Sequence, residues 1–246
     1  MSLRFFCALI LISGSMSCGK QESENALIDS VKSGSIEVAA PVSPEAGIPD
    51  KGDESSSADT VKIAEAYGDL DGDTISEKII VINTSKQSDF GTIRNIEVYK
   101  KENGDWKLWH KSTGAVLPSG HGGMMGEPFS GITIERKCIV INHEGGSRGR
   151  WAYTHRYRFQ NNDWYLIGAT ITFGTNCEYW KTYDYNLITG RVEAQHIDES
   201  CEEDSEEADK DEKFSFVLKG ALHKMDNFYP GDNEVKIPGK EHSFYY

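Results

Sequence analysis

A chain of 246 residues with 39 Asp and Glu against 26 Lys and Arg carries a formal charge of −13. That balance argues against a nucleic-acid partner, whose phosphates require clustered cations. The one basic cluster, Arg148, Arg150, Arg156 and Arg158, alternates along a strand-like run and reads as a solvated face. The first sixty residues and an acidic run near residue 205 offer little to bury, so the remainder is about the size of one all-β domain.

Residues 1–18 read as a secretory signal: Arg4 supplies the positive start, Phe5–Ile12 a short apolar core, and small residues follow. The core is too short to span a bilayer as a permanent helix. Its end, Ser15-Met16-Ser17-Cys18-Gly19, resembles the lipobox of bacterial lipoproteins, with Ser15 where the box usually has an aliphatic residue. The resemblance implies cleavage before Cys18, lipidation (palmitate among the acyl groups) and attachment to a membrane through acyl chains. The other reading is an ordinary signal cut elsewhere, with Cys18 left free. Residues 19–60 follow as a disordered tether, with Pro41, Pro44, Pro49, many Ser and Glu and no sustained apolar period. Lys20-Gln21-Glu22-Ser23-Glu24 resembles the export signals of Bacteroidetes surface lipoproteins. The address is therefore the bacterial cell envelope, on the periplasmic face of the outer membrane or on the cell surface.

The segment Tyr67–Asn83, YGDLDGDTISEKIIVIN, places Asp69, Asp71 and Asp73 at alternate positions. Three such carboxylates, the Ile75 carbonyl and the Glu77 carboxylate can complete the oxygen shell that Ca²⁺ prefers. The loop resembles the calcium-binding segments of FG-GAP and VCBS-type repeats, where the loop leads straight into a strand. It departs from the EF-hand, because Thr74 stands where that loop needs Gly and a strand follows. Two readings stay open: structural Ca²⁺, or carboxylates that bond only to their own backbone.

The body of the chain reads as hairpins. Val98–Trp109 turns at Asn103-Gly104, and Tyr153–Phe173 turns within Gln160-Asn161-Asn162-Asp163. Asp105-Trp106 and Asp163-Trp164 lie 58 residues apart, so the two hairpins read as related units, which implies that Trp106 and Trp164 share their surroundings. Between them come two Gly-rich connections, Ser112–Gly131 and His143–Arg150, each carrying a His. His121, His143 and Glu144 are the residues for metal-assisted or acid–base hydrolysis, although no H-E-x-x-H stands here. His121 with Met124 and Met125 suits a soft metal. Ser119 lacks the G-x-S-x-G setting of a hydrolase nucleophile. A ligand groove is expected at these loops, with His121, His143, Glu144, Arg148, Arg150 and Trp151 at its rim.

The phrases GDLDGD, ENGDWKLW, GGMMGEPFSGI, HEGGSRGRWAYTHRYRFQNNDWYLIG and CEYWKTYDYNLITG together resemble a group of Bacteroidetes-like secreted lipoproteins. That resemblance implies location and a β-rich fold and carries over no catalytic residue. A disulfide between Cys177 and Cys201 is expected, because Cys138 lies in an apolar strand and packs as a small hydrophobe. Residues 198–213 form an acidic, solvated loop, and Phe244–Tyr246 docks as an edge strand. The expected fold is an all-β meander of antiparallel hairpins, propeller-like or sandwich, in a single domain over residues 61–246. The expected function is a lipid-anchored envelope binding or scaffold protein without catalysis, stabilised by Ca²⁺, with a protein or small molecule as ligand. The alternatives are the hydrolase and a periplasmic inhibitor or immunity-type partner.

Overall fold

The computed structural model describes residues 60–201 and 211–246. The signal, Cys18, the tether up to residue 59 and residues 202–210 of the acidic segment lie outside the described residues. The loop expected over 198–213 is shorter than that, because Asp198 ends one strand and Asp211–Lys213 open the next.

The described chain is all-β and antiparallel. A first sheet is formed by β1 (Val61–Gly68), β2 (Glu77–Ser88), β3 (Gly91–Glu102) and β4 (Asp105–Ser112), neighbours in sequence being neighbours in space. The second contains β5 (Phe129–Glu135), β6 (Cys138–Gly146), β7 (Gly149–Gln160), β8 (Asp163–Thr175), β9 (Tyr179–Asn186), β10 (Arg191–Asp198) and β11 (Asp211–Val217), again in chain order. A two-stranded ribbon pairs β12 (Glu234–Lys236) with β13 (Ser243–Tyr245). The tail forms an edge strand, as expected, and its partner is β12 in a separate two-stranded ribbon. Neither large sheet closes on itself. Among the described residues no helix is long and apolar enough to cross a membrane.

The turns follow from residue chemistry. Asn103 and Gly104 have φ of 54° and 93°, and Asn161 and Asn162 have 50° and 61°. Two consecutive positive φ values make the two-residue hairpin whose twist matches its strands, and Asn tolerates that region better than most residues. The likeness of the two hairpins extends further. Trp109 is the extra residue of a bulge between Val98↔His110 and Tyr99↔Leu108. Ile167 is the extra residue between Arg156↔Gly168 and Tyr157↔Leu166.

The buried faces differ. Trp164, Tyr157 and Leu166 lie in the core at 0 % exposure, beneath Phe228. Their counterparts Trp106, Tyr99 and Leu108 face outward, and Leu108 is 53 % exposed. The Lys78 ammonium stands 4.7 Å from the Tyr99 ring and 4.8 Å from Trp106. Trp106 and Trp164 therefore do not share surroundings. In the first hairpin the core side is held by Ile96, Val98 and Trp109, whose ring lies 5.3 Å from Trp164.

One apolar cluster joins Ile79, Val81, Ile96 and Val98 of the first sheet to Ile139, Ile141, Tyr157 and Trp164 of the second. The tail covers the second sheet, with Phe244 stacked on Tyr183 at 4.2 Å. Full burial of each large side chain contributes roughly 1.5–3 kcal/mol. The two sheets meet at Gly68 of β1 and Ile134 of β5. A Cβ at Gly68 would lie 2.7 Å from Ile134 Cγ2, so only glycine permits this contact.

Candidate functional site

The acidic turn is tied to the core by Leu70, which is buried, and by Glu77, which is 1 % exposed and accepts the Leu70 N–H at 2.7 Å. Oxygens of Asp69, Asp71 and Glu77 all lie within 4.8 Å of one another. That spacing suits a cation whose ligands sit about 2.3–2.6 Å away. Burial first, then the Asp71 and Asp73 charges, push the Glu77 carboxyl up, a crowding that a cation would relieve. The Asp73 carboxylate stands outside the group, and its Oδ1 accepts the Ile75 N–H at 2.7 Å. Asp69 accepts the Gly72 and Thr74 N–H groups at 2.5 and 3.3 Å. Thr74 has φ of 71°, the conformation for which an EF-hand loop uses Gly. The Lys100 ammonium pairs with Asp71. Against the effect of burial, that pair and the Asp73 N–H hold the Asp71 carboxyl low.

Among the described residues His121, His143 and Glu144 form no cluster with metal-ligand spacing. His143 Nε2 accepts the Leu117 N–H at 3.2 Å, so the neutral ring carries its proton on Nδ1. Burial, then the nearby Arg94 and His121, push its pKa down to about 3. Its free lone pair is already used, which leaves no base there at neutral pH. Glu144, the next residue along β6, is exposed on the opposite face, as strand alternation demands. His121 is half-buried, its ring 4.4 Å from Phe90, and its Nδ1 lies 3.3 Å from the Tyr229 hydroxyl. Met125 Sδ is turned toward Arg150 Nη1 at 3.7 Å, and Met124 is exposed. Arg148 pairs with Glu178. Among the described residues the acidic turn is the only His, Cys, Asp and Glu cluster with metal-ligand spacing. Cys177 and Cys201 are joined with Cα atoms 5.0 Å apart, and Cys138 is a buried free thiol.

The expected groove is divided at Trp151. On one side Glu144, Arg150 and Trp151 line a cavity of about 150 Å³ with Met125 and Trp180. On the other, His121, Trp151 and Tyr153 line one of about 160 Å³ with Pro230, Gly231 and Asp232. Arg148 and His143 line neither of them.

A larger cavity of about 670 Å³ lies where β2 and β3 run past the end of β1. Phe90, Ile93, Val116, Pro118 and Tyr229 form its apolar wall, and Asn95, Lys86 and Lys111 stand at its polar rim. Thr60, the first described residue, is at its mouth. The Gly-rich segment closes one side because Arg94 holds it. That guanidinium is 2 % exposed, bonds Glu127 at 2.6 Å, the Leu117 carbonyl at 3.3 Å and Asn83 at 3.0 Å. Ser119 Oγ accepts the Thr92 N–H at 2.9 Å, and Gly120 N–H reaches the Phe90 carbonyl at 2.7 Å. Ser119 is thereby a clip between segments. The cavity falls within the roughly 300–1,000 Å³ typical of small-molecule sites.

Sequence reasoning missed Phe90, Ile93, Arg94 and Tyr229. They come from two distant stretches, residues 90–94 and Tyr229, and no local pattern marks their convergence. The one local signal was Tyr229-Pro230-Gly231-Asp232, a turn sequence. No protein-family model, curated protein or solved structure matches this chain.

Proposed function

We propose that this is a lipid-anchored binding protein of a bacterial cell envelope, without catalytic activity, whose ligand places an apolar body in the large cavity. The observation that carries the reading is that cavity: about 670 Å³, mostly apolar, with Lys86 and Lys111 at its rim. Apolar walls supply affinity through removal of water, and a few polar groups orient the guest. Lys111 is engaged by Glu97 at 2.9 Å, which leaves Lys86 to meet an acidic group. The cell-envelope address and the anchor rest on Met1–Cys18. Ca²⁺ on Asp69, Asp71 and Glu77 would stiffen the turn that leads into β2.

The cavity is tested with 1-anilinonaphthalene-8-sulfonate, an apolar dye with one acidic group. Saturable binding with enhanced fluorescence is expected, and Ile93→Trp, which fills the space without touching the core, should weaken it at least ~tenfold, or ~1.4 kcal/mol. Equal binding by the variant at unchanged melting temperature would sink the assignment. The anchor is tested by Cys18→Ala, which should abolish acyl mass and release the protein from membranes; a variant that still sediments with membranes refutes it.

A further inference from the structure

The small cavity beside His121 has a chemistry of its own. Its outer wall is the turn Tyr229-Pro230-Gly231-Asp232, closed by the Asp232 N–H to the Tyr229 carbonyl at 3.3 Å. Pro230 fits the second position of a type II turn, and Gly231, with φ of 89°, supplies the third. A side chain at Gly231 would also crowd Tyr153, whose hydroxyl oxygen lies 3.3 Å from the Cβ position. The turn therefore sits directly on Tyr153. Its inner wall is the Trp151–Tyr153 pair, stacked at 4.8 Å with 26° between planes. His121 closes the side, in edge contact with Tyr229 at 5.7 Å.

Charge decides what this cup would accept. Asp232 is the only ionised group lining it; no Lys or Arg does, and among the described residues Asp232 has no ion-pair partner. Its carboxylate is felt around the cup: after burial, it helps to push the Tyr153 and Tyr229 phenols up. Burial holds His121 toward its neutral form despite Asp232. An anion would meet uncompensated negative charge. A bare Ca²⁺ would find one carboxylate where it wants six to eight oxygens. A purely apolar guest would desolvate the carboxylate without pairing it.

We propose that this cup binds a small organic ammonium group, with the Asp232 carboxylate as counter-ion and His121, Trp151 and Tyr153 as its aromatic wall. Aromatic rings and a carboxylate together are the combination that holds alkylated ammonium ions, because their weak hydration makes transfer from water cheap and both partners attract positive charge. The volume of about 160 Å³ admits several heavy atoms, since one water occupies ~30 Å³ of liquid. The ammonium could be carried by a free small molecule or by a methylated lysine side chain; the head group is the same. This site is separate from the large cavity and does not depend on it.

The test uses three probes of one shape and different charge on the intact protein: tetramethylammonium, tert-butanol and pivalate, followed by saturation-transfer NMR and calorimetry. Tetramethylammonium should bind saturably and more tightly than tert-butanol, with pivalate weakest. Asp232→Asn keeps the turn and its backbone bond, and should weaken tetramethylammonium at least ~tenfold, ~1.4 kcal/mol, at unchanged melting temperature. A trimethyllysine amide that competes with tetramethylammonium assigns a side-chain source, and one that does not compete assigns a free small molecule. Absence of saturable tetramethylammonium binding, pivalate binding as tightly, or no loss in Asp232→Asn would each overturn the proposal. Dye binding in the large cavity, measured on the same samples, shows whether only the cup has failed.

Discussion

The hairpins β3–β4 and β7–β8 share a two-residue turn, a Tyr–Leu cross-strand pair and a bulge at corresponding positions, yet they bury opposite faces. Around Trp164 the second hairpin packs Tyr157, Leu166 and Phe159 under the C-terminal segment. Around Trp106 the first leaves Tyr99 half-buried and Leu108 exposed, with Lys78 and Lys101 over the indole at 4.8 and 5.0 Å. The difference teaches that turn chemistry sets pairing and register, whereas the choice of inner face depends on what the rest of the chain lays against the ribbon. Lysine stems cover an exposed aromatic face where no apolar partner arrives.

The largest expected effect tests that contrast directly. Trp164→Ala should cost ~3–5 kcal/mol in urea unfolding through lost burial and a residual cavity. Trp106→Ala should cost less than ~1 kcal/mol, as exposed cation–π contacts do. Equal losses would erase the distinction between the two hairpins.

Acid should act on the second sheet. Burial lowers the pKa of His143 from 6.5 to about 3 and that of His155, fully buried beside Phe228, well below 6.5. As pH falls, the unfolded chain takes up these protons near 6.5 and the folded chain does not. Stability is therefore full above about pH 6.5 and declines as pH drops toward the folded value. At pH 5, His143 alone should lose ~2 kcal/mol. His143→Gln keeps an acceptor for the Leu117 N–H and cannot titrate, so its melting temperature should fall less between pH 7 and 5. An unchanged slope would remove His143 from the account.

The smallest effect belongs to the first sheet. If Ca²⁺ binds the acidic turn, tenfold excess over Kd should add ~1.4 kcal/mol of stability. Asp71→Ala should lose that increment in Ca²⁺ but not in chelator. Identical melting of the native protein in both solutions would discard the cation and leave Lys100 as the partner of Asp71.

Much of this architecture was legible before any coordinates. Asn103-Gly104 and Asn161-Asn162 announced their turns because few other residues accept positive φ. The alternation Tyr153, His155, Tyr157, Phe159 placed one face of β7 against the core and Arg156 and Arg158 outside. The site was less legible. His121 and His143 both read as members of Gly-rich loops, but His143 belongs to strand β6, points into the core and is held by Leu117, whereas His121 stops at a cavity wall. Nothing local marks Arg94, whose buried guanidinium is held by Glu127, 33 residues later, with Leu117 and Asn83.

Local order along the chain determined turns, strand pairing, register and bulges, since these depend on backbone conformation and on neighbours a few residues away. Tertiary structure alone decided which faces were covered, that His143 lost its basicity, and that Phe90, Val116 and Tyr229 would enclose one cavity. The physical reason is that burial is a property of the assembled surface, and desolvation falls on whatever residue that assembly closes over.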